Sequence, residues 1–292
     1  MAVFFDVYHK MYEKPLLFKV NCFLLRTGVE KQLAYLFKTL KKELGSKVNE
    51  ESKDFFDRNS VLIDTNSQIL ADEKSREIYK AVIGYRIHRK PLRKNVYSLK
   101  DQYFPKDVLS IGDREIFIDC GAFVGDTIYN LFVTAKRNNK KIEKIVAFEP
   151  EHRNCILLKK YYSNDKRVIS IEAGVSDKDK NMRLVGESTY AKLVPESEGK
   201  GKAIKLKSID DTKECYDATY IKMDIEGAEM DALKGAAETI KRNKPKLAIC
   251  IYHSNKDMVR IIPFVHELNP DYKLYVRHHS RDTSETVLYA VP

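Results

Sequence analysis

The spacing of apolar positions changes near residue 112. Before it, Val29, Leu33, Leu36, Phe37, Leu40 and Leu44 recur every three or four residues, with Lys31, Lys38, Lys41 and Lys42 on other faces. That periodicity predicts a basic amphipathic helix. Its apolar stripe packs on the main domain or rests on a membrane or partner, and packing is the reading we favour. A second helix is predicted from Ala71 to Arg89, with Ile78, Tyr79, Val82 and Ile83 inward. Residues 90–112, interrupted by Pro91 and Pro105, read as a connection with little regular structure.

Beyond residue 112 short β-branched runs alternate with helical ones. Strands are predicted at 115–119, 144–149, 168–173, 220–224, 247–252, 272–277 and 286–291, and helices near 127–137, 152–162, 228–242 and 256–267. Such alternation implies βαβ units and a parallel sheet covered on both faces. The last two strands follow each other without a helix, so they pair antiparallel. The expected fold is therefore α/β: a mostly parallel, Rossmann-like seven-stranded sheet with an antiparallel last strand, preceded by a mainly helical segment. The division places that segment at 1–111 and the α/β domain at 112–292. The glycine- and charge-rich stretch 186–202 reads as a mobile insertion before the fourth strand of this sheet.

Composition narrows the setting. With 43% hydrophobic residues in 292, a proper core is expected. No uncharged apolar run approaches the roughly 18 residues of a membrane span. The start lacks a basic region followed by an apolar one, so no signal peptide is expected. Five cysteines scattered singly argue against a disulfide framework and a zinc cluster, and a cytoplasmic location is expected. The net charge of +10 arises from 52 basic residues spread among 42 acidic ones. No aromatic-basic interleaving accompanies it, so no nucleic-acid partner is expected.

Candidate chemistry lies at successive strand ends. The run Ile116–Asp119 leads into Gly121, then Gly125 and a helix. Glycine permits a tight turn, and the N–H groups of a helix start suit an anionic group. The spacing Asp-x-Gly-x-x-x-Gly-Asp differs from Gly-x-Gly-x-x-Gly, which disfavours a dinucleotide. A ligand carrying both a carboxylate and an ammonium suits glycines flanked by acids. The second strand ends in Glu149-Pro150, where a carboxylate accepts ribose hydroxyls. The third runs into Ala173-Gly-Val-Ser-Asp177, a small-residue turn where a flat ring would lie.

Phe117-Ile-Asp-Cys-Gly-Ala-Phe-Val-Gly-Asp126, Val146-Ala-Phe-Glu-Pro150 and Ile221-Lys-Met-Asp-Ile-Glu-Gly-Ala-Glu229 closely resemble the FkbM family of methyltransferases, over roughly 112–292. Leu70-Ala-Asp-Glu-Lys-Ser-Arg76 and Gln102-Tyr-Phe-Pro105 look similar to the leading segment of some bacterial members. The resemblance implies a class I fold, S-adenosylmethionine (SAM) as cofactor, and O-methylation of a small-molecule or glycan acceptor. The cofactor-binding residues expected are Asp119, Gly121, Ala122, Gly125, Asp126, Thr127, Glu149, Pro150, Gly174, Val175, Ser176 and Asp224.

Methyl transfer from a sulfonium needs alignment more than activation. An aliphatic hydroxyl resembles water, pKa about 15.7, against about 6.5 for histidine, so full deprotonation beforehand would cost roughly 12 kcal/mol. Either a general base takes the proton as the methyl arrives, or a divalent ion acidifies the hydroxyl. Asp224 and Glu226 are hard oxygen ligands suited to Mg²⁺. His253, directly after the fifth strand, is the foremost base, with a structural histidine as the alternative; His278 and His279 rank lower. Glu229 reads as a helix-start acid offsetting the dipole. Rival readings are a nucleic-acid or protein methyltransferase, a non-catalytic SAM-binding module and an NAD-linked enzyme. After the fourth strand the chain has Asp224-Ile-Glu-Gly227, not the Asn/Asp-Pro-Pro-aromatic turn of base amino-methylation.

Overall fold

A computed structural model describes residues 14–27, 48–185, 192–197 and 201–292. The amphipathic helix predicted over 29–44 lies outside them. The first described helix is α1 (Pro15–Thr27), followed by α2 (Glu50–Arg58), α3 (Ser60–Ile69) and α4 (Glu73–His88). Local chemistry sets the starts: the Asn49 side chain accepts from Ser52 N–H at 3.0 Å, and that of Asp72 from Ser75 N–H at 2.7 Å. In α4, Ile78, Tyr79, Val82 and Ile83 are buried, as the spacing predicts.

Chain contacts group the protein into two compact units, one of residues 113–244 and one of residues up to 112 with 245–292. The first holds β1 (Arg114–Cys120), α5 (Asp126–Arg137), β2 (Lys141–Phe148), α6 (His152–Tyr162), β3 (Val168–Ile171), β4 (Gly174–Val175), β5 (Lys180–Val185), β6 (Lys192–Pro195), β7 (Lys202–Lys207), β8 (Tyr220–Met223), α7 (Glu229–Lys234) and α8 (Ala237–Asn243). The second adds β9 (Lys246–Cys250), α9 (Asn255–Leu268), β10 (Lys273–His278) and β11 (Thr286–Val291) to the leading helices.

The main sheet has the order β10-β11-β9-β8-β1-β2-β3. β1 runs parallel to β2 and β8, β2 parallel to β3, and β11 antiparallel to β9 and β10. This is the seven-stranded, mostly parallel class I sheet expected, with its antiparallel last strand. Its central strands are fully buried at Phe117, Ile118, Ile145–Phe148 and Tyr220–Met223, apart from 2% at Lys222.

In the second unit, long-range hydrogen bonds fix the leading helices. Asn66 Nδ2 donates to Val259 O at 2.8 Å, and Tyr79 Oη to Met258 O at 3.1 Å. Arg277 of β10 is 5% exposed and pairs with Asp72 at 2.7 Å and Asp107 at 3.0 Å. Among the described residues no helix is long and apolar enough to cross a membrane. All five cysteines are free and buried.

Two expectations change. Part of 186–202 is ordered strand: β6 pairs antiparallel with β5 in a second, four-stranded sheet β4-β7-β5-β6; residues 186–191 and 198–200 lie outside the described ones. The single helix predicted over 228–242 is two, α7 and α8. Between them the Gly235 carbonyl leaves the helical ladder and accepts from Asp210 N–H at 2.8 Å and Ser208 Oγ at 3.0 Å.

Candidate functional site

The site lies within residues 113–244, where three parallel strands end together. Cys120 is in register with Phe148 on one side and Met223 on the other. Beyond Cys120 the chain turns at Gly121, and the N–H groups of Gly121 and Ala122 both donate to Phe148 O, at 3.0 and 2.9 Å. Gly121 has φ +80°, and a Cβ there would meet the Asp224 carbonyl oxygen at 2.0 Å. The close approach that demands glycine is therefore to the protein's own β8 edge. Gly125, φ +88°, caps α5, and a Cβ on it would strike the Tyr162 ring at 2.4 Å. Thr127 is buried in the first turn of α5, and Pro150 is half-buried beside Glu149.

Glu149 is buried and fastens this turn. Its Oε2 accepts from Phe123 N–H at 2.9 Å, and its Oε1 from Glu151 N–H at 2.9 Å and Asn154 Nδ2 at 3.1 Å. Burial outweighs these bonds and pushes its carboxyl up to about 6. Asp126, at the start of α5, is also pushed up to about 6 by burial, against the pull of Lys222. Two acids poised near neutrality mark a place where a cationic or hydroxyl-bearing ligand has something to gain.

Asp119 is placed differently from expectation. It is fully buried, and its carboxylate forms an ion pair with Lys222 Nζ at 3.0 Å. Burial raises its pKa, with Lys222 opposing. Lys222 also donates to the carbonyls of Gly121 at 2.7 Å and Cys120 at 3.2 Å. Asp119 thus stands paired with the cation that holds this turn. Sequence reasoning assigned Lys222 no role, although a lone lysine in the apolar strand Tyr220-Ile-Lys-Met is a signal in itself.

At the end of β8, Asp224 is half-buried, and its N–H donates to Cys120 O at 3.1 Å. Glu226 is exposed in a left-handed conformation, φ +58°. The acid that converges on Asp224 is Glu229, with carboxylate oxygens of the two within 4.8 Å. Glu229 opens α7, fully buried, with Oε1 accepting from Ile225 N–H at 2.9 Å, as a helix-start acid should. Of the two acids expected to hold Mg²⁺, Asp224 is half-buried and Glu226 is exposed.

The third strand end differs too. Gly174 and Val175 form β4 and pair with Leu206 and Lys207 of β7. Ser176 N–H donates to Lys207 O at 2.9 Å and its Oγ to Asp177 at 2.9 Å. The predicted small-residue turn over 173–177 thus contains a short buried strand of the second sheet.

His253, in the turn after β9, is half-buried with its ring 4.1 Å from that of Tyr252. His278 and His279 are each 1% exposed. His278 Nδ1 bonds Thr286 Oγ1 at 2.9 Å, and His279 bridges Ser98 O and Tyr289 Oη, both at 2.9 Å. Their nitrogens are committed to the fold.

Residues 119–274 match the model of a family described as the methyltransferase FkbM domain. Among solved structures, the chain is similar to a methyltransferase FkbM from Methylobacillus flagellatus KT, at 28% identity and a TM-score of 0.67, over 82% of this chain and 60% of that one. The chain thus spans about 60% of the length of that relative. An rRNA methylase from Streptococcus thermophilus aligns at 12% identity and a TM-score of 0.38, over 62% of this chain and 87% of that one. A fibrillarin from Aeropyrum pernix, solved with natively bound S-adenosyl-L-methionine, aligns at 11% identity and a TM-score of 0.38, over 64% and 71%. No match was found among curated proteins.

Proposed function

This chain belongs to the FkbM methyltransferase family, and on that premise we propose that it transfers a methyl group from SAM to a hydroxyl of a sugar, glycan or natural-product acceptor. The observation that carries the cofactor assignment is the flush end of β1 and β2, where Glu149 is buried against the turn after β1 and burial pushes its carboxyl and that of Asp126 up to about 6. Both acids favour a ligand that supplies positive charge or hydroxyl donors. The residues present fit SAM: Glu149 retains lone-pair capacity for ribose hydroxyls, Asp126 and Asp224 add negative charge, and the start of α5 offers backbone N–H groups to a carboxylate. We place the adenine beside Gly174, Val175 and Ser176. When bound, SAM supplies an electrophilic methyl group on a sulfonium.

The chain's own contribution is binding, alignment and the acceptor's proton. Alignment of the acceptor oxygen accounts for much of the rate. The proton leaves to a general base as the methyl arrives, for which we assign His253 first and Asp224 second. Glu226 is exposed and stands apart from the buried Glu229, so Asp224 and Glu226 are a poor donor set for Mg²⁺. A hydroxyl acceptor is supported by the Asp224-Ile-Glu-Gly227 turn, which lacks the prolines used to hold an amino group of a base.

The experiment is twofold. Calorimetry with SAM tests the cofactor, and release of S-adenosylhomocysteine with a panel of mono- and disaccharides, set against tRNA and a histone-type peptide, tests the acceptor. Turnover confined to hydroxyl acceptors supports the reading; turnover on tRNA or peptide alone sinks its acceptor half.

A further inference from the structure

We infer that Lys222 is the positioning residue of the cofactor turn: its ammonium holds Asp119 and the carbonyls of Cys120 and Gly121 in place, and cofactor affinity depends on it. This rests on the proposed SAM reading of the same site and adds a residue that recognition of the glycines and acids leaves without a role.

The geometry is specific. β1 and β8 are parallel, and their register pairs Asp119 with Lys222, which puts both side chains on one face of the sheet. The Lys222 side chain is 2% exposed and that of Asp119 is 0% exposed. An ammonium buried so deeply is tolerated only where its protons find acceptors. It donates to Gly121 O at 2.7 Å and Cys120 O at 3.2 Å, and the Asp119 carboxylate stands beside it as an ion-pair partner, Oδ1 at 3.0 Å. The two carbonyls are successive in the turn, so Lys222 fixes two adjacent peptide planes. Cys120 O also accepts the Asp224 N–H at 3.1 Å. One buried cation thus ties the turn after β1 to the residue that ends β8.

Ordinary packing does not require this. A methionine or leucine at 222 and a neutral residue at 119 would fill the same buried strand positions without a desolvated pair. What the lysine adds is direction, since its two hydrogen bonds each set a carbonyl oxygen of the turn. Lys222 acts through the turn whose carbonyls it holds.

The test uses the full chain with SAM as titrant. Lys222→Met, Lys222→Gln and the double variant Asp119→Asn/Lys222→Met are compared with wild type by thermal unfolding and calorimetry. Lys222→Met strands a buried carboxylate and is expected to lower Tm sharply. The double variant removes both charges, so it should recover Tm while its Kd for SAM stays at least tenfold above wild type. Lys222→Gln keeps one donor and should fall between. Recovery of stability without recovery of affinity is what a merely structural ion pair would not give. A folded double variant, or a folded Lys222→Gln, with a Kd within twofold of wild type overturns the inference. Failure of the wild-type chain to bind SAM would instead overturn the proposed function.

Discussion

Tyr162 Oη donates to the carbonyl of Gly125 at 2.6 Å, and the Tyr162 ring stands where a side chain on Gly125 would go. α6 therefore shapes the start of α5, so that the second glycine of the motif is dictated by packing as well as by its φ of +88°.

Removing the hydroxyl alone tests the first half of that relationship. Tyr162→Phe should cost about 1 kcal/mol, the usual worth of one hydrogen bond, with a modest loss of SAM affinity. Gly125→Ala should cost more, about 1–3 kcal/mol, through overpacking and the left-handed backbone. Urea unfolding measures both, and equal stability of Gly125→Ala and wild type would contradict the packing account.

Gly121→Ala is a folding mutation before it is a binding mutation. Its Cβ would lie 2.0 Å from the Asp224 carbonyl oxygen, so β1 and β8 must separate at their ends. A loss of at least about 2–3 kcal/mol is expected, on the scale of core overpacking. A variant as stable as wild type, seen by thermal unfolding, would mean that the turn has room the structure does not give it.

Much of this was readable in the sequence, for identifiable reasons. The strands of the main sheet are short apolar runs, and the helices between them carry strong periodicity, so helix 152–162 matches α6 (His152–Tyr162) to the residue. Glycine-acid spacing located the turn, because φ and close approach leave few alternatives to glycine. The second sheet escaped because its strands are rich in lysine: Lys202–Lys207 alternates, with only Ile204 and Leu206 buried. Lys222 escaped because its partners come from β1, about a hundred residues earlier, and no local pattern reports a register. That Glu226 sits exposed on a left-handed backbone is not something sequence spacing reveals.

The site should titrate. Asp126 and Glu149 are raised from 3.8 and 4.5 to about 6. Folding thus favours their protonated forms, and their contribution to stability is fully present below about pH 4 and lost as pH rises through 6. A cationic ligand prefers the ionised forms and pulls the other way. SAM affinity should therefore be flat from pH 7 to 8 and fall below 6, by about tenfold per unit for each carboxylate that senses the ligand. Calorimetry at four pH values reads this directly, and a flat profile from 5 to 8 would remove both acids from the cofactor site.

Arg277 should matter to stability while leaving the cofactor turn alone. Burial pushes Asp72 up, but bonds from Arg277 and Ser75 outweigh it and hold its pKa at about 2. Its contribution is present above the unfolded value of 3.8 and lost as pH falls through 2. Asp72→Asn should lower stability by about 1–3 kcal/mol, as expected for a lost charged hydrogen bond, and flatten the acid limb of the unfolding curve. An unchanged acid limb would show that this pair does not tie α4 to β10.

The most direct measurement is calorimetric titration of SAM into the purified chain and into Glu149→Ala. The account predicts one SAM per wild-type chain, and a folded Glu149→Ala whose Kd is raised about 10- to 100-fold, the equivalent of about 1.5–3 kcal/mol for hydrogen bonds to a charged group. A folded wild-type chain that releases no heat with SAM at any concentration up to millimolar, or a Glu149→Ala variant that binds as wild type does, would contradict it.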